Sequence, residues 1–175
     1  MILGIDPGLA NVGWALLASN STLHSYGYIQ TAKQDRTGDA AKRLAEVMYG
    51  LSDALRAIEA SSGIVEHTVV IEWPGGAGGF QRDGAASSNA RAAIQTSTTA
   101  GSVYGAAYWL LRGHTERILT PAPVTWRTAL ARAWSIQRDE TAIHATILQR
   151  HPQLASLKKK AGPHVRDAIG LAEYG

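Results

Sequence analysis

The sequence predicts an α/β fold in which helices flank a mixed β-sheet. Three observations support this prediction. Short β-branched apolar runs are typical of buried strands, apolar residues at helical spacing lie between them, and three consecutive strands precede an alternation of helices and strands. With 175 residues, we expect one domain over residues 1–175, with a core large enough to be stable without cross-links.

The composition excludes several classes of protein. The chain has no cysteine, which excludes disulfides, a thiolate metal site and a cysteine nucleophile, and is consistent with a cytosolic location. Charged residues make up 18 % and hydrophobic residues 45 %, so a disordered polyelectrolyte is excluded. We expect neither a signal peptide nor a membrane-spanning segment, because no basic N-terminal region and no apolar stretch of sufficient length is visible.

The first third of the chain predicts a meander of strands followed by a helix. Residues 2–5 (Ile-Leu-Gly-Ile) form a short apolar run that ends at Asp6, before the turn signal Pro7-Gly8. Further strands are predicted at Val12–Ala18 and Leu23–Gln30. A helix, capped near Asp39, is predicted from apolar residues at i, i+3, i+4 and i+7 spacing, namely Leu44, Val47, Met48, Leu51, Leu55 and Ile58.

Helices and strands then alternate. A β-branched strand, Thr68–Ile71, ends at Glu72, and a glycine-rich loop follows it as far as Phe80. The next predicted elements are a helix rich in small residues at Ser87–Arg112, a strand at Arg117–Thr120, and helices near Val124–Ala133 and Glu140–Arg150. After a loop containing Lys158–Lys160, a last helix is predicted near Pro163, with Val165, Ala168, Ile169 and Ala172 as its buried stripe.

Two predicted central strands end in an acid, and the last helix carries two more candidate ligands. Taken alone, Asp6 suits a turn with Pro7-Gly8 and Glu72 a solvated strand end. Taken together, they favour a cleft, because acids at the ends of buried strands are costly unless they are solvated, paired or bound to a metal. His164 and Asp167 share one side of a helix. Three carboxylates and an imidazole suit two Mg²⁺ or Mn²⁺ ions, which can clamp the oxygens of a phosphoryl transfer.

These motifs resemble those of a known family. Gly4-Ile5-Asp6-Pro7-Gly8 followed by Val12-Gly13-Trp14-Ala15, then Val70-Ile71-Glu72 and finally His164-Val165-Arg166-Asp167-Ala168 resemble the RuvC Holliday-junction resolvases of the ribonuclease H-like superfamily. The resemblance implies a ribonuclease H-like fold and a homodimeric, metal-dependent endonuclease that cuts four-way branched DNA by paired nicks. It further implies that Asp6, Glu72, His164 and Asp167 are the catalytic metal ligands.

The charge distribution agrees with a nucleic-acid partner. Residues 1–81 carry 5 Lys and Arg against 8 Asp and Glu, a balance of −3, whereas residues 82–175 carry 12 against 6, a balance of +6. We expect phosphate contacts from basic residues of the second half, namely Arg127, Arg138, Lys158, Lys159, Lys160 and Arg166. Phe80 is a candidate to stack on an unpaired base, and Trp73 is the competing choice.

Two other function classes remain open from the sequence. A non-catalytic protein that binds branched DNA shares the basic half, and an ATP-dependent phosphotransferase of the actin and sugar-kinase superfamily shares an opening strand that ends in an Asp. The glycine-rich loop lacks the Gly-Lys-Ser/Thr of a P-loop. The histidines other than His164 are expected to be surface or capping residues: His24, His67, His114, His144 and His151.

Overall fold

The computed structural model of the protein contains the predicted mixed sheet. It describes residues 1–8, 10–31, 40–62, 68–73, 101–113, 115 and 117–175. Among these, five strands are present: β1 (Ile2–Asp6), β2 (Asn11–Leu17), β3 (Leu23–Gln30), β4 (Thr68–Ile71) and β5 (Arg117–Leu119). They lie in the order β3-β2-β1-β4-β5, in which β1, β2 and β3 pair antiparallel, and β4 pairs parallel with both β1 and β5.

Helices alternate with the later strands in the predicted order. They are α1 (Ala40–Ser62), α2, of which residues 101–111 are described, α3 (Pro123–Trp134), α4 (Glu140–Arg150), a 3₁₀ turn (Pro152–Ser156) and α5 (Ala161–Tyr174). The predicted bounds are correct to within two residues for the strands. The helix cap near Asp39, the glycine-rich loop and residues 87–100 of the predicted small-residue helix lie outside the described residues. No helix in the described ranges is long and apolar enough to cross a membrane.

The two faces of the sheet carry separate cores. On one, which we call the α1 face, Leu3 and Ile5 of β1 and Val69 and Ile71 of β4 pack against α1 and α2. On the other, the α5 face, residues of β2 and β4 pack against α3, α4 and α5. Because side chains alternate along a strand, Asp6 lies on the opposite side of β1 from Ile5, on the α5 face.

Two glycines allow α5 to cross the sheet at backbone contact. A Cβ added to Gly4 would lie 1.9 Å from the carbonyl oxygen of Ala168, and one added to Gly13 would lie 2.1 Å from that of His164. Gly13 is the antiparallel partner of Asp6. The first turn of α5 therefore lies over the end of β1, and the predicted stripe of Val165, Ala168, Ile169 and Ala172 is fully buried beneath the helix.

Candidate active site

Two acids meet at the ends of neighbouring parallel strands, as the sequence predicts. Ile5 of β1 pairs with Ile71 of β4, and the backbone N–H of Glu72 donates to the carbonyl of Ile5 at 3.1 Å. Only 9 % of Asp6 is exposed, and burial raises the pKa of its carboxyl group above the usual range. Burial, and then the charge of Asp6, raise the pKa of Glu72 to about 7.

His164 contacts this acidic pair from α5. Its Nδ1 lies 2.6 Å from Oδ2 of Asp6, although 158 residues separate them in the chain. The hydrogen bond with Asp6 raises the pKa of the imidazole, against the opposing effect of burial. The ring also stacks on Tyr28 of β3 at a centroid distance of 6.1 Å, and the Tyr28 hydroxyl donates to Oδ1 of Asn11. His164 thus contacts two strands of the sheet, through Asp6 of β1 and Tyr28 of β3.

Asp167 lies one turn further along α5 and has two basic neighbours. Oδ1 of Asp167 lies 2.9 Å from Nε2 of His144 on α4 and 3.6 Å from Nη2 of Arg127 on α3. The charge of Asp167 also contributes to the raised pKa of both Asp6 and Glu72. The structure therefore brings the three predicted carboxylates into one electrostatically coupled group.

Glu72 is held by a residue that sequence reasoning missed. The indole Nε1 of Trp126, a fully buried residue of α3, donates to Oε1 of Glu72 at 2.9 Å. The guanidinium of Arg127 lies over the same indole, 5.1 Å from the ring centroid. One helix thus supplies a hydrogen-bond donor to Glu72 and a positive charge beside Asp167.

The carboxylates and the imidazole of this site are groups that bind hard divalent cations. In this structure they form hydrogen bonds with one another and with neighbouring side chains. Within the described residues, no three His, Cys, Asp or Glu side chains are grouped so that they could hold a metal ion. The contacts above use Oδ2 of Asp6, Oε1 of Glu72 and Oδ1 of Asp167. Because carboxylate oxygens are the usual ligands of Mg²⁺ and Mn²⁺, and a cation stabilises the charged form of buried acids, these residues fit such an ion.

The expectation that every histidine except His164 lies at the surface or at a cap is wrong for His144. Its side chain is 11 % exposed and contacts Asp167. The signal in the sequence is its position beside Ile143 and three residues before Ile147, both of which are fully buried. His24 is exposed, as expected, and His67 and His114 lie outside the described residues. His151 is the C-cap of α4, but its ring is buried near Glu173, with 4.0 Å between Nε2 and Oε1.

The predicted phosphate-binding residues separate into distinct environments. Arg138, Lys158, Lys159 and Lys160 are exposed, and the three lysines lie in a loop, as predicted. Arg166 is partly buried on α5, and Arg127 is 25 % exposed and engaged with Asp167 and Glu140. Phe80 lies outside the described residues, whereas Trp73 is 43 % exposed and packs edge-on against Tyr104 of α2 at 4.8 Å.

Part of the chain is similar in sequence to proteins named crossover junction endodeoxyribonuclease RuvC. No family model matches the chain. The crossover junction endodeoxyribonuclease RuvC of Beijerinckia indica is 39 % identical over 76 residues, which is 42 % of this chain and 42 % of that protein. RuvC of Brucella ovis is 39 % identical over 70 residues, which is 39 % of this chain and 40 % of that protein. The matched segments therefore span about two fifths of the length of these relatives.

The fold comparison extends over almost the entire chain. Thermus thermophilus RuvC in complex with a Holliday junction substrate matches 99 % of this chain and 90 % of that one, with a TM-score of 0.64 and 15 % sequence identity. The resemblance to RuvC is therefore confirmed. The yeast mitochondrial Holliday junction resolvase aligns with a TM-score of 0.52 and 11 % identity over 99 % of this chain and 76 % of that one. The chain thus has the RuvC form of the ribonuclease H-like fold, as predicted.

Proposed function

We propose that the chain is a structure-specific DNA endonuclease that resolves four-way Holliday junctions by paired symmetric nicks in recombination and repair, with residues 1–175 as one nuclease domain. The observation that carries the proposal is the coupling of Asp6, Glu72 and Asp167 with His164 at one end of the sheet. The partial sequence similarity to RuvC proteins supports the choice of a branched DNA substrate.

The reaction we propose is hydrolysis of one phosphodiester bond in each of two strands. The oxygen of a water molecule attacks the phosphorus in line, and the bond from phosphorus to the 3′ oxygen breaks, which leaves a 5′-phosphate and a 3′-hydroxyl. Two divalent cations, Mg²⁺ or Mn²⁺, held by Asp6, Glu72, His164 and Asp167, would stabilise the charge that develops on the attacking and leaving oxygens. Asp6 would be the candidate to contact both ions, because it interacts with each of Glu72, His164 and Asp167.

The remaining residues of the site keep these ligands in place and balance their charge. Trp126 holds one oxygen of Glu72, and His144 holds one oxygen of Asp167. Arg127 offsets the negative charge of Asp167 at 3.6 Å. For Arg127 we therefore propose a role within the acidic site in place of the predicted phosphate contact, while Arg138, Lys158, Lys159, Lys160 and Arg166 remain candidates for the DNA backbone.

Paired symmetric nicks require two active sites, so we propose that the chain acts as a homodimer. Helix α2 supports this proposal, because it presents two large exposed side chains, Trp109 at 69 % and Tyr108 at 41 % exposure. Exposed aromatic residues of this size are typical of interaction surfaces.

The test is single-turnover nicking of a labelled synthetic four-way junction, mapped on both strands, in Mg²⁺ and in Mn²⁺. We expect Asp6→Asn to reduce the rate by at least about a hundredfold and to leave junction binding largely intact, since it removes a ligand and no phosphate contact. Asp53→Asn is the matched control, because Asp53 is an exposed acid of α1 paired with Arg56.

The outcomes of this experiment separate the candidate functions. Equal rates for wild type and Asp6→Asn would refute the assignment of Asp6. Junction binding without nicks in either metal would favour a non-catalytic protein that binds branched DNA. Hydrolysis of ATP in place of DNA would favour the phosphotransferase alternative.

A further inference from the structure

A groove of about 430 Å³ opens beside the candidate active site, outside the acidic group itself. Its walls come from the start of β2, the end of β3, α1 and the first turn of α5. We call it the basic groove, and its polar lining includes Asn11, Gln30, Arg43, Lys159, Lys160 and His164.

Arg43 of α1 is held in a fixed position in this groove. Its Nε donates to the hydroxyl oxygen of Thr31 at 2.8 Å. Thr31 is itself only 4 % exposed, and its backbone N–H donates to the carbonyl of Ala10 at 3.1 Å. Because this bond uses Nε, both terminal nitrogens of the guanidinium can still donate to a ligand. A guanidinium held in this way can donate two parallel hydrogen bonds to a phosphate.

The charge of the groove is uncompensated within the described residues. Arg43, Lys159 and Lys160 form no ion pair with a described carboxylate, and no described Asp or Glu lines the groove. Arg56, Arg127 and Arg150 each have an acidic partner. Arg43 is more than a hundred residues from Lys159 and Lys160 in the chain, so the fold itself concentrates positive charge at this place.

Neutral donors complete the groove. The hydroxyl of Tyr28 donates to Oδ1 of Asn11, so the amide nitrogen of Asn11 is the atom left to serve a ligand. Gln30 is the strand partner of Asn11 and brings a second amide to the same wall. Amide donors beside uncompensated cations are the chemistry that recognises the non-bridging oxygens of a phosphodiester.

His164 connects the basic groove to the acidic site. It lines the groove, and its Nδ1 lies 2.6 Å from Oδ2 of Asp6. A phosphate in the groove is therefore next to the position where the scissile phosphodiester must lie if Asp6 is catalytic. We propose that the basic groove binds a backbone phosphate of the DNA strand being cut, adjacent to the scissile one, with Arg43 as its principal anchor. This inference rests on the proposed nuclease function.

The experiment compares two arginines of α1 for their effect on junction binding. Fluorescence anisotropy with a labelled four-way junction, in EDTA and over a series of salt concentrations, gives the affinity and the slope of log K against log salt. We expect Arg43→Gln to weaken binding about tenfold and to reduce the slope by about one, as one lost phosphate contact requires. Arg56→Gln is the control and should change neither quantity, because Arg56 is exposed and paired with Asp53.

A second variant keeps the test valid if Arg43→Gln perturbs folding. Arg43→Lys retains the charge and loses the planar fork, so we expect a wild-type salt slope with a smaller loss of affinity. Wild-type affinity and slope in both Arg43 variants, with wild-type nicking, would refute the basic groove and leave the proposed nuclease function standing. Absence of junction binding and nicking by the wild type would refute both.

The source of the phosphate is tested with a free nucleotide. Deoxyadenosine monophosphate carries the same phosphate chemistry without a strand. We expect it to compete with the junction only at millimolar concentration. Submicromolar binding of the nucleotide that depends on Arg43, with unchanged junction affinity in Arg43→Gln, would identify a free-nucleotide site and would overturn the assignment to a DNA strand.

Discussion

The two faces of the sheet share the same strands and differ in what the strands present. On the α1 face, Leu3 and Ile5 of β1 are large, apolar and buried. On the α5 face, the same strand presents Gly4 and Asp6, a residue without a side chain and a buried acid. Both faces bury apolar side chains. The α5 face in addition brings the backbones of α5 and the sheet into contact and gathers polar groups from helices α3, α4 and α5.

The difference shows how the fold accommodates buried charge. Close contact of α5 with β1 and β2 carries His164 to Asp6, and α3 and α4 add Trp126 and His144. Each buried carboxylate thereby gains a hydrogen-bond partner, which offsets part of the cost of burial. On the α1 face, β1 presents no buried acid that needs a hydrogen-bond partner, and its side chains there are apolar.

The largest loss of stability is expected when a methyl group is added on the α5 face. Gly13→Ala should lower the free energy of unfolding by about 3 kcal/mol or more, because its Cβ would lie 2.1 Å from the backbone oxygen of His164, which cannot move without shifting α5. Nicking should be lost at the same time, since α5 carries two of the candidate ligands. Urea unfolding measures the first effect and the junction assay the second.

Gly105→Ala in α2 is the matched control for this substitution. Among the described residues, no atom lies within 4 Å of a Cβ added at Gly105, so Ala should be neutral or stabilise the protein by about 0.5–1 kcal/mol through its higher helix propensity. Wild-type stability in Gly13→Ala would mean that α5 is not held against the sheet by backbone contact, and the distinction between the two faces would be lost.

A smaller effect, on metal affinity, is expected from substitution of His144 on α4. His144→Ala removes the hydrogen bond to Asp167, and we expect the affinity for Mn²⁺ to fall roughly 10- to 100-fold, because residues that orient metal ligands typically contribute this much. His144→Gln retains a donor and should recover part of the loss. Calorimetric titration of the protein with Mn²⁺ in the absence of DNA measures this directly.

His24→Ala serves as the control for His144, because His24 is an exposed histidine of β3. It should bind Mn²⁺ as the wild type does. If His144→Ala did so as well, His144 would be a buried residue that contributes to packing alone, and Asp167 would keep its position without it.

The smallest effect concerns the dependence of stability on pH. The pKa of Glu72 is raised from 4.5 to about 7 in the folded protein, so between these values the folded state binds more protons than the unfolded state. Stability contributed by protonated Glu72 is therefore present at low pH and is lost as pH rises through about 7, with a slope of at most about 1.4 kcal/mol per pH unit. In EDTA, Glu72→Gln should reduce this dependence, and the raised pKa values of Asp6 and His164 should account for the part that remains.

His151 should make stability depend on pH in the opposite direction to Glu72. Burial lowers its pKa, so the folded state binds fewer protons than the unfolded state just below pH 6.5, and stability is lost as pH falls through that range. Thermal unfolding of wild type, Glu72→Gln and His151→Gln between pH 5 and 8 separates the two contributions. Parallel curves for wild type and Glu72→Gln would contradict the raised pKa of Glu72.

Much of the fold could be predicted because its signals are local. Apolar runs identified the strands of the sheet to within two residues, and helical spacing predicted a last helix near Pro163. The runs that end at Asp6 and Glu72 predicted where the acids lie. The stripe of Val165 and Ala168 indicated which side of α5 is buried, and thus that His164 and Asp167 border the core. These features depend on how side-chain direction repeats along a helix or a strand, and this repeat can be read from neighbouring residues in the sequence.

The partners of these acids were decided by the tertiary structure. The helical pattern predicts that Trp126, Arg127 and His144 lie on helices, but it does not show which distant carboxylate each of them contacts. The prediction for His144 was wrong for this reason. The same holds for Arg43, which the tertiary structure places beside Lys159 and Lys160. The spacing of apolar residues along a helix or strand determines which of its faces is buried. Only the packing of elements from distant parts of the chain determines what that face meets.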